Sequence, residues 1–302
     1  MAREEGISEL LTKLLKRKVG ININGDLPDN KIVEVALRVE KLGVAIWIGE
    51  LELFKDPFYV AQIIAEHISN VPICFGTITL RRDCSTILNN LKSLINSYPH
   101  LDFLVGISPG KVENPRLVLE RTLKCIELIK KLDIPVLCGC SSPIITRKSS
   151  KIADGILFNY VYRDFLNWIF KFMERDVFKV AYGPSLILPS RYEQDLILAS
   201  AIVACSSRKF IQKFGFIEMC NLNLNFEKMI ALRQRGGDLN TDNDFRKILR
   251  YKDILLEKFS ISGSLEEVKE RINDLLEICD YVILGDPYFR DDRCVDLLRN
   301  II

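Results

Sequence analysis

The chain has 302 residues, 48% of them hydrophobic, enough to bury a large core as one big α/β domain or as two ordinary ones. A formal charge of +2 argues against a general nucleic-acid surface while leaving room for a local basic patch. No apolar run reaches the roughly 18 residues that span a bilayer, and Glu4 and Glu5 stand where a signal peptide would be basic, so a cytoplasmic protein is expected.

Ile7, Leu10, Leu11, Leu14 and Leu15 recur at helical spacing ahead of Lys16, Arg17 and Lys18, which predicts an amphipathic helix over residues 5–17. Such a helix can touch a membrane or an acidic partner; more often it plugs the bottom of a barrel or packs on a neighbouring helix. From Val19 the pattern turns rhythmic. Strands are predicted at Val19–Ile23, Val44–Ile48, Ile73–Leu80 and Asp102–Ile107, then at Pro135–Cys138, Gly155–Phe158, Val177–Tyr182 and Tyr281–Leu284. Between them fall helices over 29–42 (capped by Asp29), 56–69 (Pro57 in its first turn), 84–97, 114–132, 162–174 and 191–204.

Strands alternating with helices at this spacing imply parallel βαβ units, and eight of them imply a single (β/α)8 TIM barrel spanning 1–302, with its chemistry at the C-terminal strand ends. The rhythm breaks between Ala204 and Tyr281. Helical patterns at 226–235, 244–256 and 264–277 with no convincing strand predict a helical insertion over about 206–260, followed by the last barrel helix. The insertion would serve as a dimer contact or surface padding, or as a lid on the substrate side.

Nine cysteines, an odd number without framework spacing, read as small buried residues, Cys74, Cys125, Cys138 and Cys279 among them, although the count leaves a disulfide open. With only His67 and His100 in the chain, no metal site is expected. Cys138 and Cys140 share one strand face but lack partners.

In the stretch from Ile134 to Tyr160, Ser142 fits a helix N-cap and Pro143 the first helical position. Backbone N–H groups and the positive end of the helix dipole would then converge on Cys140, Ser141 and Ser142, a seat for phosphate or simply a well-capped βα loop. Gly76 interrupts an apolar strand, as a packing glycine or as a close approach of backbone to a ligand. Small, polar and turn-forming residues dominate the predicted strand ends, whose interiors are aliphatic, and this suits a cleft where a flat ligand lies near backbone.

The segments WIGELELFKDPFYVAQIIAE, CFGTITL, VGISPG, the CGCSSP…IADGILFN unit and KFSISGSLEEV resemble, in order and spacing, the bacterial-luciferase-like superfamily, and within it the coenzyme F420-dependent methylenetetrahydromethanopterin reductases. The resemblance covers most of residues 18–302. It implies a luciferase-like (β/α)8 barrel with a helical insertion before the last strand, and archaeal-type one-carbon chemistry: hydride transfer between reduced F420 and a one-carbon group on a pterin-type small molecule. By the resemblance, Gly76 and Thr77 fall at a bulge with a non-proline cis peptide behind the cofactor ring. Ser108 and Gly110 match a glycine-rich strand end, Cys140, Ser141 and Ser142 match the phosphate loop, and Asn159 matches the next strand end. A homo-oligomer is expected.

The departures fall on the expected catalytic positions. Asn22 stands where those reductases carry a glutamate, and Gly49-Glu50-Leu51 stands where they carry Thr-Asp-His, so Glu50 keeps a carboxylate while the histidine is gone. The chain therefore reads as an F420-dependent reductase, as a luciferase-like oxidoreductase using F420 or FMN on another substrate, or as a degenerate paralogue kept for binding or assembly.

Overall fold

The computed structural model describes residues 9–14, 17–110, 115–206, 213, 214, 218 and 222–302. Strand alternation sets its core. Every residue of β1 (Val19–Ile23) and β2 (Ala45–Ile48) is buried, because alternate side chains face the barrel axis and the surrounding helices. Ala45 and Trp47 join an inner cluster with Leu104, Leu137, Leu157 and Ile283. Ile46 and Ile48 join an outer cluster with Ile32 and Ile64, which come from helices α1 (Asp29–Leu42) and α2 (Pro57–Ala65). Leu10 and Leu14 pack into the inner cluster with Ala45, Phe178 and Tyr281 at the strand starts. The described part of the N-terminal helix therefore plugs the barrel bottom; residues 5–8 and 15–16 of the expected helix lie outside the described residues.

The strands β3 (Ile73–Thr79), β4 (Phe103–Ser108), β5 (Val136–Gly139), β6 (Gly155–Phe158) and β7 (Phe178–Ile187) follow, each parallel to its predecessor. The eighth barrel strand, β9 (Tyr281–Gly285), pairs with both β7 and β1 and closes the ring. The expected (β/α)8 barrel is therefore present. One expectation is corrected: β7 overruns the barrel, and its Ser185, Leu186 and Ile187 pair with a short strand, β8 (Ile261–Gly263), where no strand was expected. Three residues are too few to show a period, and the strand forms because the overrun of β7 offers an unpaired edge.

Helices α3 (Cys84–Ser97), α4 (Pro115–Ile129), α5 (Pro143–Ser149), α6 (Arg163–Phe170) and α7 (Glu193–Cys205) cover the barrel, and Asn114 at the expected start of α4 lies outside the described residues. The insertion carries α8 (Phe226–Gln234), α9 (Asn243–Leu249) and α10 (Lys252–Phe259), so the helix expected over 244–256 is in fact two. After it come α11 (Leu265–Leu276), begun by a capping box between Ser264 and Glu267, and α12 (Asp292–Leu297). The helices expected to run to 69 and 174 stop at Ala65 and Phe170, because Ile68 and Met173 pack on the core from return loops and mimic helical periodicity.

One further expectation changes, and one left open is settled. Asp29 is the first residue of α1 rather than its cap; Pro28 holds the cap position, and the Asp29 carboxylate pairs with Lys55 at 2.7 Å and accepts from the Tyr59 hydroxyl at 2.8 Å. Cys125 is buried as expected but bridged to Cys84, tying α4 to the start of α3.

Candidate functional site

A cavity of about 490 Å³ opens at the C-terminal ends of the barrel strands. Asn22, Glu50, Gly76, Thr77, Ser108, Gly110, Cys140, Ser141 and Asn159 all line it. Ser142 does not; its hydroxyl accepts from the Ile145 N–H at 3.4 Å and caps α5, which Pro143 opens. The cavity therefore gathers all but one of the sequence-selected positions.

The floor is built by β1, β2 and β3. Register between β3 and β4 shifts from Phe75 to Ile78, which turns Gly76 and Thr77 into the cavity wall. The peptide joining them is cis. A Cβ at Gly76 would come 2.8 Å from Trp47 Cε3, so this glycine is required for packing and also exposes backbone to the cavity. Thr77 donates to the Ser108 hydroxyl at 2.8 Å, joining β3 to β4. Gly110, with φ +74, takes the left-handed turn that leaves β4.

Asn22 is 1% exposed. Its Nδ2 donates to the Trp47 carbonyl at 3.1 Å, while its Oδ1 is buried without a partner among the described residues. A buried polar atom left in that state costs about 1–3 kcal/mol, which marks this position as one where structure yields to something else.

Glu50 is more heavily engaged. Its Oε2 accepts from both the backbone N–H and the hydroxyl of Thr79, each at 2.6 Å, and its Oε1 accepts from Arg82 Nε at 2.6 Å. The carboxylate therefore splints the end of β3 while facing the cavity.

On the phosphate-loop side, the Cys140 N–H is spent on the Leu157 carbonyl at 3.1 Å, and the thiol lies 3.2 Å from the Thr146 hydroxyl. Burial pushes the Cys140 thiol well above its usual range and Cys138 up to about 12, so both stay protonated. The N–H groups of Ser141 and Ser142 have no acceptor among the described residues. Across the barrel, burial also raises the Tyr182 phenol, which remains a neutral hydroxyl.

Sequence reasoning missed one wall. Arg233 of α8 reaches Asp26 at 2.8 Å and Asp286 at 2.9 Å, and Arg290 reaches the same two carboxylates. Arg233 Nε also lies 3.2 Å from Asp195 Oδ1, an ion pair rather than a well-aligned hydrogen bond, and that oxygen has no other partner among the described residues. Burial pushes the Asp195 carboxyl up to about 6, with Arg233 opposing. Asp286 is held below its ordinary value because two guanidiniums outweigh its burial. Asp26 and Arg233 are 207 residues apart in sequence, a pairing no local pattern reveals.

The described residues form a closed parallel (β/α)8 barrel with a polar, glycine-lined cavity at its strand ends and a helical insertion before the last strand. No family model and no curated protein matches the sequence. Among solved structures, the chain is similar to the coenzyme F420-dependent tetrahydromethanopterin reductase from Methanopyrus kandleri, with 18% identity, a TM-score of 0.69, and 94% of this chain and 98% of that one covered. It is also similar to an F420-dependent secondary alcohol dehydrogenase seen with an F420-acetone adduct, at 11% identity, TM-score 0.67 and the same coverage. A monooxygenase from Streptomyces bottropensis follows at 13% identity and TM-score 0.60, with 94% of this chain and 98% of that one covered.

Proposed function

We propose that the strand-end cavity holds a deazaflavin or flavin, F420 or FMN, and that the protein is an oxidoreductase acting on a small molecule beside it. What supports this reading is the convergence on one cavity of the positions that the resemblance to F420 reductases singles out, Ser142 excepted. The residues present fit such a group. The volume falls within the roughly 300–1,000 Å³ of small-ligand sites, the Gly76–Thr77 turn presents backbone to a flat ring, and the Ser141 amide on the cavity lining is open to an anion.

A bound deazaflavin or flavin would supply hydride chemistry. The chain's own work would be to bind, orient and exclude water: Gly76, Thr77 and Ser108 as the wall behind the ring, Gly110 and Asn159 beside it, and Ser141 at the phosphate. A pterin-bound one-carbon unit is the substrate this reading favours, in keeping with the fold shared with the Methanopyrus reductase. In it Asn22 would orient ligand rather than exchange protons, and Glu50 would be the carboxylate nearest to an acid–base role.

A second reading, a barrel that binds cofactor without turnover, is favoured by one observation: both Glu50 oxygens are already occupied by Thr79 and Arg82. Titration of the purified protein with F420 and with FMN, followed by cofactor absorbance, tests the shared premise. A saturable change is expected with one of them, and flat titrations with both would end the cofactor reading. Oxidation of reduced F420 by a methylene-tetrahydropterin then separates enzyme from binding protein.

A further inference from the structure

Among the described residues that line the cavity, Asn22 alone has a buried side-chain polar atom without a hydrogen bond. Its orientation is set from behind: Nδ2 donates to the Trp47 carbonyl at 3.1 Å, an oxygen that a swapped amide could only repel, so Oδ1 is the atom left over. That atom is buried and has no partner among the described residues.

The surroundings extend the pattern. A Cβ placed on the bare Gly49 would meet Asn22 Nδ2 at 3.6 Å, the Gly76 carbonyl oxygen at 3.7 Å and Asn24 Oδ1 at 3.9 Å, so the Asn22 amide, Asn24 and the Gly76 turn pack together around Gly49, and all four residues line the cavity. Asn22 Oδ1, Asn24 Oδ1 and the Gly76 carbonyl are all acceptors. No charge competes there: Glu50 is closed by Arg82 and Thr79, and the Arg233–Asp286 pair by its own partners. The floor thus discriminates by hydrogen-bond direction, and an amide does so without titrating.

We propose that Asn22 Oδ1 is a specificity-determining acceptor that receives the imide N–H carried by the rings of both F420 and FMN, with Asn22 a positioning residue and not a proton source. This rests on the reading that the cavity holds such a ring. The ring, rather than the second substrate, meets Asn22 because the acceptor sits at the buried floor next to the Gly76 turn, whereas a second substrate enters over the ring's open face.

The test pairs FMN with its N3-methyl derivative, or the same two forms of the F420 chromophore if F420 is the one that binds, by equilibrium titration of the full chain. Blocking the imide should weaken wild-type binding by roughly tenfold, the size of one hydrogen bond lost in a dry site. In Asn22→Leu, checked for folding by circular dichroism, the two forms should bind alike. Binding of both forms to the wild type within twofold overturns the proposal without need of any variant, and a penalty that persists in folded Asn22→Leu overturns it as a steric effect. Failure of unmethylated FMN and F420 to bind at all would strike the cofactor reading itself.

Discussion

Glu50 Oε2 accepts two hydrogen bonds from Thr79, one from its backbone N–H and one from its hydroxyl, so that a residue facing the cavity also fixes the end of the strand beside it. Arg82 completes the set on Oε1. Glu50→Gln puts an amide donor among donors. It is expected to destabilise the fold by about 1–3 kcal/mol, lowering thermal stability and turnover together. A melt unchanged from wild type with turnover reduced at least tenfold would assign Glu50 to chemistry and not to the scaffold.

Arg233 performs the corresponding task for the insertion. Its guanidinium joins α8 to Asp26 after β1, to Asp286 after β9 and to the neighbourhood of Asp195 on α7. Arg233→Met leaves three buried carboxylates facing Arg290 alone, and breaking such a set costs about 3–5 kcal/mol. The measurable result is a lower melting temperature with earlier proteolytic cutting in 222–260. Arg233→Lys should recover only part of the loss, since one ammonium cannot span three partners in fork geometry.

Three carboxylates against two guanidiniums leave Asp195 as the surplus anion. Its carboxyl, at 3.8 when free, is pushed up to about 6 by burial. In that interval the native state holds a proton that the unfolded chain has lost, so the stability contributed by this group is intact below pH 3.8, falls as pH rises towards 6, and stays lost above. Asp286 behaves oppositely, being held low by Arg290 and Arg233, so only a difference experiment isolates Asp195. Asp195→Asn should gain on wild type as pH rises from 4 to 7, by about 2–3 kcal/mol at the upper end. A gap that stays constant across this range would show that Asp195 is ionised throughout.

The Cys84–Cys125 bridge closes a loop 41 residues long between two barrel helices. Loop closure of that length is worth about 2–4 kcal/mol through the unfolded chain. The Cys84→Ala, Cys125→Ala pair, or reductant added to the wild type, should lower the denaturation midpoint accordingly, while cofactor titration is left unchanged because neither residue lines the cavity.

What was legible in the sequence follows the range of the forces involved. Apolar alternation in Val19–Ile23 and the Ser142–Pro143 start signal are local, and both elements stand where they were expected. The strand ends were legible because side chains there stop being aliphatic and because Gly76 breaks an apolar strand, whereas Asn22 and Ser108 stood out through the resemblance to a known family. The Arg233 wall was not, since it is made by residues from four distant segments whose charges look like surface charges in sequence. Asn22 was selected for the acid it lacks; that its oxygen is left without a partner depends on the Trp47 carbonyl taking its amide, a matter of strand register.

The α5 loop separates two roles that the sequence had merged. Ser142 spends its hydroxyl on Ile145, whereas Ser141 is exposed, lines the cavity and keeps an open N–H. If the cofactor phosphate sits there, Ser141→Asp sets a carboxylate against it, and the affinity for F420 or FMN should fall by about tenfold or more, with the loss shrinking at high salt. Ser142→Ala removes a cap worth about 1 kcal/mol, so it should lower the melting temperature more than it lowers affinity. Unchanged affinity in Ser141→Asp would place the phosphate at another strand end, and equal affinity losses in both variants would mean that the loop acts through its shape rather than through its open amides.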